Sequence, residues 1–481
     1  MRIGFRVFIA VIGIVWVAVA AKVEAPKPFG AVPTRAQLAW QRCETNLFLH
    51  FGVNTFTDRE WGAGQEDPKV FNPSQLDARQ WVRAAKAGGF KIVILTAKHH
   101  DGFCLWPSRY TDHSVKSSPW REGKGDVVRE LADACREAGM KLGIYLSPWD
   151  RHEKTYGDSP RYNEYYKNQM TELLTNYGPI AEVWFDGACG EGPNGKRQEY
   201  DWEAYRALVR KLQLEAVMFS DAGPDVRWIG NERGSAGDPC WATVDPKKVP
   251  YPGAPGDAVI NALQHGDPGG TVWRPGESDV SIRPGWFWHK KEDEKVRSVD
   301  NLVDLYFKSV GRNSLLLLNV PPNDQGLLSD GDAQRLVEFR TRLDVMFRTD
   351  LALSRKAAAG NARGNSGAYA PARALDGNAD SYWATDDGVT SSWMEVDLGK
   401  PEKFNLAAIQ EAIALGQRVE SYHLEYRDGA AWKEFAGGTT IGHKRLDRFE
   451  PVTAQHVRLV IDKALACPAI SSFSLYLSAD K

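Results

Sequence analysis

The run Glu182-Val183-Trp184-Phe185-Asp186-Gly187 carries an apolar strand into a carboxylate, followed by a glycine that lets the chain turn away. A carboxylate at a strand end is rigidly aimed and can act as a nucleophile. Helix capping and ion pairing are the structural alternatives for an Asp in that place. Displacement at an acetal carbon with retained configuration needs a second carboxyl about 5–5.5 Å away, protonated at the start. Burial or a like-charged neighbour keeps such a group protonated. Glu232, in Trp228-Ile229-Gly230-Asn231-Glu232-Arg233-Gly234, lies about one strand–helix–strand step beyond Asp186 and is the leading candidate. Glu191, Glu277 and Asp279 are its rivals.

A second set of residues suits the binding of hydroxyl groups. Lys98-His99-His100-Asp101-Gly102-Phe103 places adjacent imidazoles on one loop. They can ligate a metal, hold sugar hydroxyls, or simply be hydrogen-bonded loop histidines. A metal site needs a third and fourth ligand, for which His50 and Asp186 would have to serve, giving a metal-dependent hydrolase as one alternative. Sugar binding fits better, because imidazole and indole form mixed hydrogen-bonding and stacking walls. Glu60-Trp61 offers the same combination: a carboxylate for hydroxyls beside a ring for an apolar sugar face.

These side chains need a rigid frame, and the pattern from about residue 35 to 345 supplies one. Strands are predicted over 46–53, 90–97, 140–147, 180–185, 216–220 and 314–320. Helices are predicted over 76–87, 127–138, 162–177, 202–214 and 298–310, several of them ending at Gly. Continuous apolar strands imply burial on both faces, as in a parallel sheet covered by helices. Polar residues recur at the strand ends: His50, His99, His100, Tyr145, Asp186 and Glu232. Recurrence at many strands favours a TIM-like barrel, whose active site forms at that rim, over an open sheet with one switch point. Segment 227–288, rich in Gly, Pro and Trp, reads as long loops with short strands. From about residue 350 the texture changes. A small, polar stretch over 357–372 reads as a linker or first loop. Short alternating runs over 393–398, 422–426, 457–461 and 473–477 then predict an antiparallel β-sandwich.

Length and composition set the outer bounds. At 481 residues the chain suits two domains, read as 26–348 and 349–481. A net charge of −2 gives no electrostatic case for nucleic acid. Arg2 and Arg6 precede an apolar run over 7–21 and two small-residue exits, ending at Ala20 and Ala25. That pattern predicts a secretory signal over 1–25 and an exported protein, periplasmic or extracellular. The run is short for a membrane anchor, and no later segment reads as transmembrane. Six scattered cysteines without a CxxC argue against a zinc cluster or a disulfide-stapled scaffold. Cys189 and Cys240 could pair, but free buried thiols are the default.

Taken in order, these segments resemble the α-L-fucosidases of glycoside hydrolase family 29. The likeness is carried by Leu49-His50-Phe51-Gly52, Glu60-Trp61, Ala97 to Phe103, Gly143-Ile144-Tyr145-Leu146-Ser147, the Asp186 run, and Leu315-Leu316-Leu317-Leu318-Asn319-Val320-Pro321-Pro322. The resemblance implies a retaining double displacement without a metal. Asp186 matches the nucleophile, and His50, Glu60, Trp61, His99, His100 and Tyr145 match residues lining a fucose pocket. Glu232 matches the acid/base of the subgroup resembling α-1,3/1,4-fucosidases. The stretch 277–286 looks like that subgroup too, which implies that Trp286 closes the fucose site. Glu277, Asp279 and Trp286 are thereby expected in an outer wall that contacts the rest of a Lewis-type glycan. The expected partners are fucosylated oligosaccharides and glycoconjugates. A non-catalytic fucose- or galactose-binding protein is the alternative, and the presence of both carboxyls speaks against it. Ala374-Leu375-Asp376-Gly377-Asn378, Tyr382-Trp383 and Trp393 to Gly399 resemble a discoidin-like, galactose-binding jelly-roll sandwich. Such modules often hold a structural calcium near the Asp-Gly-Asn turn and show a Glu near the chain end. Ser471-Ser472 stands there instead, which counts against the ion.

Overall fold

The apolar runs form the staves of a parallel barrel. The computed structural model describes residues 23–478. Its first six strands are β1 (Thr45–Leu49), β2 (Ile92–Lys98), β3 (Lys141–Leu146), β4 (Ile180–Trp184), β5 (Val217–Phe219) and β6 (Arg227–Trp228). A small antiparallel ribbon follows, β7 (Thr243–Val244) with β8 (Val272–Trp273), and then β9 (Gly276–Ser281) and β10 (Ser314–Asn319). The barrel order is β5-β4-β3-β2-β1-β10-β9-β6, all parallel. A parallel bridge between Phe219 and Val226 all but closes the ring.

Helices α1 (Arg35–Gln41), α2 (Val53–Thr57), α3 (Ala78–Ala87), α4 (Val127–Ala138), α5 (Ser159–Asn176), α6 (Trp202–Leu212), α7 (Asp257–His265), α8 (Val299–Lys308) and α9 (Asp330–Met346) accompany the strands. Their starts are written locally. Asp77, Asp126, Asp201 and Ser298 each accept a backbone N–H in the first turn of the helix that follows. Gly139 ends α4 at φ 68°, a left-handed conformation that a Cβ disfavours. The buried helix faces meet the strands in one cluster that includes Trp81, Leu131, Tyr166, Leu336 and Phe339.

Three expectations change. The first strand ends at Leu49, because Thr96 Oγ1 and Asn319 Oδ1 take the Phe51 and His50 amides and bend the chain toward α2. No helix separates β5 from β6, so Glu232 lies two strands, rather than one, beyond β4. The stretch from 357 is not a plain linker, since β11 (Lys356–Ala359) pairs with the sandwich.

The second domain adds β12 (Trp383–Ala384), β13 (Ser392–Glu411), β14 (Val419–Asp428), β15 (Ala431–Gly438), β16 (Arg445–Ala464) and β17 (Ala469–Tyr476), all antiparallel. Strands β13 and β16 are 20 residues each and serve both layers. Their register shifts between Asp397 and Glu402, where the sheet folds over. The Asp376 turn does not fit a calcium ion as it stands. Its carboxylate already accepts from Ser381 Oγ at 2.7 Å and the Asn378 amide at 2.9 Å, with the Arg373 guanidinium 3.6 Å away. All six cysteines are free. The predicted signal lies almost wholly outside the described residues, among which no helix is long and apolar enough to cross a membrane.

Candidate active site

The C-terminal ends of the strands open into a cavity of about 290 Å3. A larger cavity of about 470 Å3 lies at the other end of the barrel, among Trp40, Ile92, Leu142 and Ile180. That one has a mostly apolar wall, and barrel enzymes work at the opposite rim.

The smaller cavity is lined by His50, Glu60, Trp61, His99, His100, Tyr145, Asp186, Glu232, Asp279 and Trp286, with Phe48, Trp184 and Ala188 behind them. Asp186 comes just past β4. Its Oδ2 accepts the Tyr145 hydroxyl at 3.0 Å and its Oδ1 accepts the Ala188 amide at 2.7 Å. Both bonds hold the anion in place. Gly187 cannot carry a side chain here: a Cβ would come within 2.7 Å of the Gly253 amide nitrogen. Glu232 stands at the cavity mouth, where Trp286 Nε1 donates to its Oε2 at 3.2 Å. Desolvation raises the Glu232 carboxyl above its ordinary range, and the negative charges of Asp186 and Glu60 add to that. The two carboxyls thus differ: Asp186 is held by two donors, while Glu232 is pushed toward its protonated form.

Three imidazoles form the floor. His50 Nδ1 lies 2.8 Å from Asn319 Oδ1. The amide nitrogen of Asn319 donates to Ser281 Oγ and to the Trp286 carbonyl, so Oδ1 is the acceptor and His50 carries its proton on Nδ1. His100 Nδ1 lies 2.7 Å from Ser147 Oγ, whose own proton goes to the Trp149 carbonyl. The same logic puts the His100 proton on Nδ1. Burial drives His50 down to about 3 and lowers His99 and His100 as well. The rings are therefore neutral near pH 7, and the Nε2 lone pairs of His50 and His100 can accept from hydroxyl groups. Trp61 is 57% exposed and meets His100 edge-to-face at 5.6 Å.

The comparisons agree with this geometry. A family model described as Alpha-L-fucosidase matches residues 39–345, and an F5/8 type C domain model matches 356–473. The putative alpha-L-fucosidase 1 of Oryza sativa subsp. japonica is 51% identical over 95% of this chain and 87% of its own length. The chain belongs to the α-L-fucosidase family GH29. A putative alpha-L-fucosidase of Bacteroides thetaiotaomicron superposes with TM-score 0.87 at 42% identity, over 94% of this chain and 99% of that one. A GH29 fucosidase of Ruminococcus gnavus, solved in complex with fucose, gives TM-score 0.87 at 37% identity, over 95% of this chain and 97% of that one. The protein is a glycoside hydrolase acting on α-L-fucosides.

Within this fucosidase, the residues expected at the site are brought together with two corrections, at Glu277 and Asp279. Glu277 is fully buried inside the barrel beside Glu182 and takes no part in an outer wall. Alternation along β9 does not spare it, because both faces of a barrel strand are covered. Asp279, two residues on, is 3% exposed and reaches the cavity floor, held by Trp228 Nε1 at 2.8 Å. It is a floor residue, not part of the rim. Glu191 is exposed in a loop away from the cavity lining. The supports Asn319, Ser147 and His289 are not among the site residues expected from the sequence. Asn319 had a usable signal, a polar residue closing the apolar run 315–318. Ser147 had the same signal, as the polar end of the predicted strand 140–147, and His289 had none.

Proposed function

We propose that the enzyme removes terminal fucose by a retaining double displacement. Asp186 attacks the anomeric carbon and forms a β-linked fucosyl–enzyme while Glu232 protonates the leaving oxygen. Glu232 then takes a proton from water, which attacks the intermediate and releases α-fucose. One observation carries this reading: two carboxyls face one cavity, Asp186 fixed by the Tyr145 hydroxyl and the Ala188 amide, and Glu232 raised by burial. The test is azide rescue. Asp186→Gly should lose several orders of magnitude in rate, with added azide giving the β-fucosyl azide. Glu232→Ala should give the α-azide instead and should recover best on substrates with good leaving groups. Retention of more than about a tenth of wild-type activity by Asp186→Gly would refute the assignment.

The preferred linkage in this reading is α-1,3 or α-1,4, as in Lewis-type glycans. Support comes from the subgroup likeness around Glu232 and Trp286, both at the cavity mouth where an aglycone emerges. With Glu277 buried, the contacts to a branching galactose fall to rim residues such as the exposed Trp61. Export remains part of the proposal. Glu24 O accepts from Arg363 Nε of the sandwich at 2.6 Å, a contact that cleavage after Ala25 would remove, which supports cleavage after Ala20. Mass spectrometry of the mature N-terminus decides between them.

A further inference from the structure

Glu60 and Trp61 reach the cavity from a segment that no barrel strand holds. After α2, residues 58–66 run through bends and turns. Arg151 Nη1 donates to the Gly62 carbonyl at 2.6 Å, and His152 Nδ1 meets the Gly64 carbonyl at 2.7 Å. These bonds fix the far end of the segment. At the near end the Asn54 carbonyl accepts the Asp58 and Arg59 amides and holds the backbone, while the side chains of Asp58 and Glu60 are held by His289.

His289 sits between two carboxylates. Its Nδ1 is 2.5 Å from Asp58 Oδ1 and its Nε2 is 2.6 Å from Glu60 Oε1. A neutral imidazole has one N–H and one lone pair, so it would set that lone pair against an anion. Only the imidazolium can donate to both carboxylates. Glu60 also accepts the Trp286 amide at 2.9 Å and the Phe287 amide at 3.3 Å. Gly285 permits this approach, since a Cβ there would lie 2.4 Å from Glu60 Oε1. Trp286 in turn holds Glu232. One chain of contacts therefore runs from Asp58 through His289, Glu60 and Trp286 to the carboxyl at the cavity mouth.

We infer that the Asp58–His289–Glu60 bridge is a proton-operated latch, which holds the wall of Glu60 and Trp61 against the wall of Trp286 while His289 is charged. His289 is a positioning residue, acting through Glu60. Burial alone would lower its pKa, but the bonds to Asp58 and Glu60 outweigh that and leave it raised. The same bond lowers Asp58, as an ionic pair requires. The neighbouring charges are otherwise engaged. Glu292 accepts the Gly285 amide, Asp293 accepts from Arg283 and Trp288, and Lys291 acts on Asp58 with the same sign as His289. Because the pKa is raised, the latch is intact below it and loosens as pH climbs through it.

The inference rests on fucosidase activity and not on the retaining mechanism, so it survives or fails independently of the azide test. Asp58 is exposed and lines no part of the cavity, so Asp58→Asn weakens the latch without touching a pocket side chain. The experiment measures the fucose inhibition constant, with kcat and KM, from about pH 5 to about pH 9 for wild type and variants. In wild type, fucose binding should weaken on the alkaline side. Asp58→Asn should move that midpoint down by about one pH unit, and Asp58→Glu should restore it. His289→Gln should remove this dependence and raise KM about tenfold, with a smaller change in kcat. A midpoint that coincides in wild type and Asp58→Asn would belong to another group, such as Glu232, and would overturn the latch. Fucose binding independent of pH in wild type would overturn it as well. If His289→Gln fails to fold, the Asp58 comparison still decides.

Discussion

At the scale of single residues, the proposed fucose site has imidazoles that are kept neutral and aimed. His50 and His100 each give Nδ1–H to a fixed oxygen, which leaves Nε2 as an acceptor for a sugar hydroxyl. His100→Ala should therefore weaken fucose inhibition and turnover together, by about tenfold or more for a lost buried bond. Inhibition constants and kcat/KM measured on the same preparation check this. Unchanged fucose affinity would remove His100 from the binding set. The depressed imidazoles also predict an acid limit. A group lowered from 6.5 to about 3, as at His50, contributes stability that is present above its unfolded pKa and lost as pH falls toward the folded value. Melting temperature should thus drop on acidification below about pH 6, and a neutral replacement such as His50→Gln should flatten that slope. Much of this set was legible in the sequence, since each member closes or follows an apolar strand. The tautomers were not, because they are set by Asn319 and Ser147, which only the fold brings close.

At the scale of elements, β9 is the instructive case. Gly276-Glu277-Ser278-Asp279-Val280-Ser281 lacks the apolar pattern of a buried strand, so the sequence reads it as loop. Yet all six residues are buried, and every one pairs with β10. Part of the strand's polarity is satisfied inside the barrel, where Asp279 accepts from Trp228 Nε1 at 2.8 Å and Ser278 Oγ meets Ser314 Oγ at 2.8 Å. Glu182 Oε2 accepts Trp40 Nε1 at 2.8 Å, and Glu277 is buried beside it, so burial and like charge both favour protonation within the pair. Burial pushes Glu182 up to about 7 and Glu277 well above its ordinary value. A carboxyl raised on folding contributes stability below its unfolded pKa and loses it as pH rises through the folded value. Glu277→Gln keeps a donor toward Glu182 and removes the second titration. This variant should match wild type at about pH 5 and melt higher at about pH 8. Thermal melts across that range test it, and parallel curves for the two proteins would rule the pair out as the cause.

At the scale of the whole molecule, the sandwich is part of the barrel's support. Leu406, Ala408 and Leu446 join the hydrophobic cluster of the barrel. Asn313 Nδ2 donates to Gln417 Oε1 at 3.0 Å, and Arg445 bonds Asp238 at 2.9 Å, on the segment that follows the Glu232 loop. Removing everything beyond residue 348 should therefore give insoluble or poorly folded protein, not a free catalytic domain. Expression yield and circular dichroism of the truncated chain test this, and a soluble fragment with wild-type kcat/KM would refute it. Linkage preference also belongs to this scale, because the aglycone meets several loops at once. Lewis trisaccharides should exceed 2′-fucosyllactose and an aryl fucoside in kcat/KM, since unpaired polar groups at the mouth penalise the simpler substrates. Comparable values would defeat the linkage reading and leave the fucosidase intact. The sequence by itself determined the alternation of strand and helix, the change to a second β domain, and the strand-end residues His50, His99, His100, Tyr145 and Asp186. These rest on local periodicity and on chain direction, which are written in consecutive residues. Tertiary structure alone decided that Glu277 is core and Asp279 floor, that Glu232 follows a helix-less β5–β6 step, and that His289 bridges Asp58 and Glu60 across 229 residues from the latter. Burial and charge pairing depend on what comes from elsewhere in the chain, and no local pattern encodes that.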